Sequence, residues 1–453
     1  MSETRYDAIV IGAGVGGLAA AALLAKAGRH TLLVERQPAL FGTLAPATLS
    51  ALDPRLAKML KLAKHGFGYA ARDLPLAAPN LLLSRDRHAT ARSLASLMPT
   101  DAAAYTVWRR EMLSLAKALR PAWWDGKAVA EVSLKPAQRV LLDRLTVSSA
   151  IAHLCARFES DALRAALAFA AAECGAVPSE PGSALALLWS AAQEANGAQG
   201  AVSLPKGGVL ALLRALSDAA QAAGAEVRTA TPVARLLTSG GAVTGVELAA
   251  GESIETPLVF CALGRRHTLA TLLPPAELGL GTARTLARPV EEIGNAVLVF
   301  ALSAAPNLPA PPDARFLIAE RPEIYESAFA EARAGRNARE PVLELVREEP
   351  TRLVVRVWPV APSYARSDLV RTVTLMIERH ASGFANLVVS ADLLEPETTA
   401  PVPLERLLAS AQSRIETPLR GLYMVGADAE PANALSGRAA RLAVALSQKA
   451  RPR

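Results

Sequence analysis

The chain has 453 residues, of which 51% are hydrophobic and 20% charged, and a formal net charge of +7. That length predicts two domains and the composition a large buried core. Lys and Arg are scattered among Asp and Glu without aromatic interleaving or a nucleic-acid-binding motif, which argues against DNA and RNA as partners. Cys155, Cys174 and Cys261 lie far apart with no CxxC pair, so neither a dithiol redox centre nor a thiolate metal site is expected.

The first segment is the most informative. Tyr6–Ile11 reads as a strand, Gly12-Ala13-Gly14-Val15-Gly16-Gly17 as a glycine turn, Leu18–Ala27 as a helix and Leu32–Val34 as a second strand closed by Glu35. This is the opening βαβ of a dinucleotide site. Gly12 permits the tight turn, Gly14 lets backbone approach a pyrophosphate, and Gly17 lets the helix pack on the strand. The pyrophosphate would sit on the unpaired N–H groups of the helix start. Glu35 follows Gly17 by 18 residues, near the interval for a carboxylate on a ribose hydroxyl. The first strand starts within a few residues of Met1, and no apolar run is long enough to span a bilayer, so a cytoplasmic protein is expected.

From Leu49 to about Gly200 the pattern is helical, broken by prolines, with few strand-like runs. Within it, Arg55–Phe67 reads as an amphipathic helix with Leu56, Met59, Leu60, Ala63 and Phe67 on one side and Arg55, Lys58 and Lys61 away from it. It is either a solvated surface helix or a docking face for peripheral membrane contact. Pro205-Lys206-Gly207-Gly208 opens a helix to Ala223. Strands follow at Glu226–Thr229, Pro232–Thr238, Ala242–Leu248 and Leu258–Cys261. Residues 266–395 mix strands and helices, and Gly421–Gly426 with Ser436–Lys449 forms a closing strand and helix. A second Gly-x-Gly-x-x-Gly is absent, so one nucleotide site is expected. The six histidines have no ligand spacing, and no metal is expected. No Gly-x-Ser-x-Gly elbow supports a hydrolase. Trp123, Trp124 and Trp358 are read as core.

These segments, in this order, resemble the phytoene desaturase and amine oxidase superfamily of FAD-dependent oxidoreductases, in its phytoene-dehydrogenase-like branch. Phe158–Arg164, Ser179–Ala184, Pro205–Gly208, Gly224–Val233 and Leu422–Asp428 with Ser436–Ala440 are similar to branch motifs. The resemblance implies an α/β fold: a Rossmann-like FAD domain from 1–50, 201–265 and 405–453, interleaved with an α+β substrate domain from 51–200 and 266–404. It assigns cofactor contacts to Gly12, Gly14, Gly16, Gly17, Glu35, Arg36, Gly42, Thr43, Val233, Gly426 and Asp428. Val233 would lie beside the adenine, and Asp428 near the ribityl or pyrophosphate. No catalytic residue carries over.

The chain also departs from the family. Phe41-Gly42-Thr43 lacks the first of two glycines, Ala429–Leu435 replaces a glycine-rich closing loop, and Leu393–Pro418 has no counterpart of a ring-side Gly-Gly segment. The resemblance implies oxidation or desaturation of a hydrophobic, isoprenoid-type small molecule, with electrons passed to O₂ or a quinone. The alternatives are a flavin amine oxidase and a catalytically degenerate binding or escort protein.

Overall fold

Ala8–Ile11 is an apolar run buried on both faces, the pattern of a central parallel strand. The computed structural model describes residues 5–42, 47–287, 293–361, 363, 365–394, 407–430 and 435–449. After β1 (Ala8–Ile11) come α1 (Val15–Lys26) and β2 (Thr31–Val34). α1 is apolar all round because it is enclosed; only Gly16 and Lys26 of its residues escape full burial. α2 (Pro54–Met59) is capped by the Asp53 carboxylate on Arg55 N–H, 2.9 Å away. β3 (Tyr69–Ala71), β4 (Leu76–Ala78) and β5 (Leu81–Leu83) follow.

Seven helices fill the next stretch: α3 (Arg87–Leu97), α4 (Pro99–Ala118), α5 (Arg120–Asp125), α6 (Pro136–Val147), α7 (Ala150–Cys155), α8 (Asp161–Glu173) and α9 (Leu185–Ala192). Then come β6 (Leu204–Pro205), α10 (Gly208–Ala222), β7 (Glu226–Arg228), β8 (Val233–Ser239), β9 (Ala242–Leu248), β10 (Ser253–Glu255) and β11 (Val259–Cys261). α11 (Arg265–His267) and α12 (Leu280–Ala287) lead to β12 (Gly294–Leu302) and β13 (Arg315–Ile318). The chain continues through α13 (Glu323–Arg333), β14 (Val342–Glu349), β15 (Arg352–Val360), α14 (Arg366–Glu378), α15 (Phe384–Leu387) and β16 (Val388–Leu394). It closes with α16 (Ala411–Ile415), β17 (Leu422–Met424) and α17 (Arg438–Lys449).

A five-stranded parallel sheet has the order β17-β11-β1-β2-β7, so its strands come from three separated stretches of chain. α1 packs between this sheet, α10 and α17. β8–β10 form an antiparallel three-stranded sheet. A mixed seven-stranded sheet, β16-β12-β15-β14-β13-β4-β5, carries α14 and α15 on one face and α8 and α13 on the other. The fold is therefore mixed α/β, as expected.

Two local expectations are corrected. Strands β3–β5 interrupt the stretch read as helical; they are three residues each, too short for an alternation signal to stand out. Arg55–Phe67 is not one helix. It stops at Met59, Lys61 turns left-handed (φ 52°), a 3₁₀ turn covers Leu62–His65, and Gly66 (φ 84°) ends it. Leu56, Leu60, Leu62 and Phe67 are buried, whereas Met59 and Ala63 from the expected apolar side are exposed. Burying Leu60 and Leu62 together needs a break in the 3.6-residue period.

Candidate cofactor site

The glycine turn shows a division of labour. Gly12 has φ +94°, and its N–H donates to the Val34 carbonyl at 2.8 Å, bending the chain out of β1. A Cβ on Gly17 would fall 1.9 Å from the Gly12 carbonyl oxygen, so helix and strand could not pack with any side chain there. A Cβ on Gly16 would fall 1.7 Å from the Val425 carbonyl oxygen, just past the end of β17. Gly14 is the opposite case: a Cβ there would meet nothing within 4 Å. It is the N-cap of α1, with no side-chain cap and no acid in the first turn. The first-turn N–H groups, which an α-helix leaves without internal acceptors, thus begin beside the open position at Gly14 with no acid in their own turn.

Glu35 lies just beyond β2. Its carboxylate accepts from Ala13 N–H at 2.8 Å and Gln37 N–H at 2.9 Å, tying the glycine turn to the loop after β2. A carboxylate has about four acceptor positions, so two remain for hydroxyls. Thr231 N–H donates to the Glu35 carbonyl and Ala230 N–H to the Gln37 carbonyl, each at 2.8 Å. Those bonds carry half-buried Val233, two residues further on, to the same end of the sheet. Arg36 and Gly42 are exposed on the exit from β2, and Thr43 lies outside the described residues.

On the other flank, a Cβ on Gly426 would lie 2.5 Å from the Ala262 carbonyl oxygen. The Asp428 carboxylate accepts from Arg265 N–H, pinning the loop after β11. Leu263, in that loop, is the neighbour a Cβ on Gly12 would meet at 3.4 Å. Gly12–Gly17, Glu35, Gly426 and Asp428 therefore converge at the carboxyl ends of the parallel strands, where open α/β sheets bind ligands.

Sequence reasoning missed the polar node behind this edge. Glu430 is buried; it accepts from Ser436 Oγ and Ala439 N–H, both at 2.7 Å, and burial raises its pKa. It thus serves as the anion at the start of α17. Arg438, also buried, stacks over Trp124 with 3.9 Å to the ring centroid and donates Nη1–H to the Trp123 carbonyl at 3.4 Å. The Ser436-Gly437-Arg438 motif marked this region, but nothing local singled out Glu430. Residues 431–434 and 395–406, which fall in the altered closing loop and the missing ring-side segment, lie outside the described residues. Trp123, Trp124 and Trp358 are buried in the core, as expected.

The arrangement fits FAD on its own geometry: an uncapped helix start open over Gly14 for a pyrophosphate, and Glu35 one strand away for a ribose. Bound there, FAD supplies hydride acceptance, and the chain supplies position and exclusion of water. A family model described as FAD dependent oxidoreductase matches residues 7–292. The chain belongs to the FAD dependent oxidoreductase family.

Within that family the chain is similar to mouse pyridine nucleotide-disulfide oxidoreductase domain-containing protein 2, with 28% identity across 97% of this chain and 92% of the mouse protein. Hydroxyneurosporene desaturase of Cereibacter sphaeroides is 29% identical over 56% of this chain and 55% of its own length. Among solved structures, cyclohexylamine oxidase from Brevibacterium oxydans has the same fold, with TM-score 0.61 and 16% identity over 99% of this chain and 100% of that one. A desaturase relative and an amine oxidase of the same fold thus both appear. Among the described residues no His/Cys/Asp/Glu group could hold a metal ion, and no helix is long and apolar enough to cross a membrane.

Proposed function

We propose that this FAD-dependent oxidoreductase removes hydride from a hydrophobic, isoprenoid-type substrate and passes the electrons to O₂ or a quinone. In this reading 1–50, 201–265 and 405–453 form the FAD domain, and 51–200 and 266–404 the substrate domain. The observation that carries it is an apolar seam. Val297, Val299, Val346 and Val354, on one face of the seven-stranded sheet, pack against Ala47, Leu74 and Leu204 in a buried apolar cluster. Ala47 follows Gly42 closely in the chain, so this valine surface lies near the cofactor segment. The carboxylates bordering it, Glu344 and Glu173, are held by Arg315 and Arg356, whereas an ammonium substrate would need a carboxylate free to pair with it or an aromatic pair. The similarity to hydroxyneurosporene desaturase supports the same class of substrate.

The test is anaerobic mixing of the FAD-loaded protein with an acyclic isoprenoid and, separately, with cyclohexylamine. Bleaching of the flavin band by the isoprenoid alone is expected. Bleaching by the amine alone would replace this reading with an amine oxidase, and no bleaching by a panel of either class would favour a binding or escort role.

A further inference from the structure

We propose that the lysine-rich turn after α2 docks on an anionic phospholipid bilayer. No acid occurs between Asp53 and Asp73, while Arg55, Lys58, Lys61 and Lys64 lie in that interval. Arg55 is engaged elsewhere, with Nη1 2.6 Å from Asp125 Oδ1 and Nη2 donating to the Trp124 carbonyl at 2.8 Å. Lys58, Lys61 and Lys64 are exposed, and none forms an ion pair with a described residue. The left-handed turns at Lys61 and Gly66 leave Met59, 44% exposed, and Ala63 on the surface among these lysines. Three unneutralised ammonium groups around a small apolar centre complement a bilayer interface, where the charges meet anionic headgroups and the methionine enters the acyl boundary. A soluble polyanion would use the lysines and leave Met59 without a role.

The patch continues toward the two main sheets. Exposed Lys206 donates its N–H to the Gly68 carbonyl at 3.0 Å. Gly207 and Gly208 then line a cleft of ≈ 150 Å³ whose other wall is Glu348 and Arg352 at the β14–β15 turn. Val346 and Val354 of the apolar seam stand two residues inward on the same faces of those strands, so the cleft borders the seam. Entry of a membrane-borne substrate by this route rests on the proposed function; the docking does not.

The FAD-loaded protein is sedimented with vesicles of phosphatidylcholine alone or doped with phosphatidylglycerol. It should pellet only with the doped vesicles, and high salt should release it. K58E/K61E/K64E should lose about 100-fold in vesicle affinity at an unchanged flavin spectrum, and M59S should weaken binding at the same charge. If the triple variant does not fold, K61E alone should cost about fivefold. Wild type remaining in the supernatant, or a folded triple variant pelleting like wild type, would overturn the proposal. So would M59S binding vesicles like wild type while the lysines still govern retention on heparin, which would assign the patch to an acidic macromolecule. Flavin reduction by an isoprenoid in detergent, without vesicles, tests the function separately.

Discussion

The carbonyl oxygen of Val425 occupies the space a side chain on Gly16 would need; a Cβ there would stand 1.7 Å from it. Two segments from opposite ends of the chain are thereby held in backbone contact. This glycine is fixed by the closing strand, whereas Gly14, two residues earlier, borders open space.

That contrast separates a folding role from a binding role. Gly16→Ala should cost more than about 3 kcal/mol or prevent folding, since backbone must move to admit the methyl. Gly14→Ala should keep stability within about 1 kcal/mol of wild type, because its φ of −67° suits any residue. Its FAD affinity should still fall about tenfold or more, as the methyl projects where the pyrophosphate would lie. Thermal melts of the apoprotein and FAD titration by flavin fluorescence read the two effects; a Gly14→Ala protein that binds FAD normally would place the pyrophosphate elsewhere.

Glu35→Ala should weaken FAD by about 1–3 kcal/mol, the cost of losing charge-assisted hydrogen bonds to a ribose. It also releases the N–H groups of Ala13 and Gln37. Glu35→Gln, which keeps acceptor capacity but not charge, should fall between the two in the same titration.

These residues also mark how far the sequence carries. The glycine spacing and Glu35 are local, and their geometry could be read from residue types alone. Most of the strands from Glu226 onward were visible as β-rich runs between turn residues. The Gly16–Val425 contact and the Glu430 cap depend on which distant segments meet, which no local period encodes. Arg55–Phe67 failed for a related reason: the helical period fits Leu56, Leu60 and Phe67, but tertiary burial of Leu62 overrides it.

A buried ionic group beneath the seven-stranded sheet should be sensitive to loss of one member. Arg315 Nη1 lies 2.9 Å from Glu344 Oε1, and Arg356 reaches Glu344 Oε2 and Glu173 Oε1 at 2.6 Å each. Burial opposes the Glu344 carboxylate, but Arg356 and Arg315 hold its pKa below the usual value. Glu344→Ala should destabilise by about 3–5 kcal/mol, because two guanidinium groups are then left with Glu173 alone. Urea unfolding measures this. A change under about 1 kcal/mol would mean that water or neighbouring carbonyls replace the carboxylate.

His153 makes a prediction about pH. It is buried, its Nε2 accepts from Trp108 Nε1–H at 3.2 Å as a neutral ring, and burial with Arg157 and Arg144 nearby lowers its pKa to about 4. The unfolded chain therefore takes up a proton below about pH 6.5 while the folded one does not. This contribution to stability is complete above pH 6.5 and declines by about 1.4 kcal/mol per unit as pH falls toward 4. Against a His153→Asn variant, wild type should lose melting temperature faster between those limits. Parallel curves would show that the ring protonates in place.

The order of the parallel sheet has a consequence for biosynthesis. Ile9 pairs with Val259, and Val259 with Leu422, so the central strand emerges from the ribosome long before its neighbour β11, and the edge strand β17 later still. During synthesis the glycine turn exists without the carbonyl that packs on Gly16 and without the Asp428 loop. The glycine turn thus gains these contacts only after β17 and the Asp428 loop have been released, and cofactor uptake should follow their synthesis. A nascent chain waiting for β11 and β17 holds an apolar strand with one unfilled edge, and its dependence on chaperones should end when β17 docks.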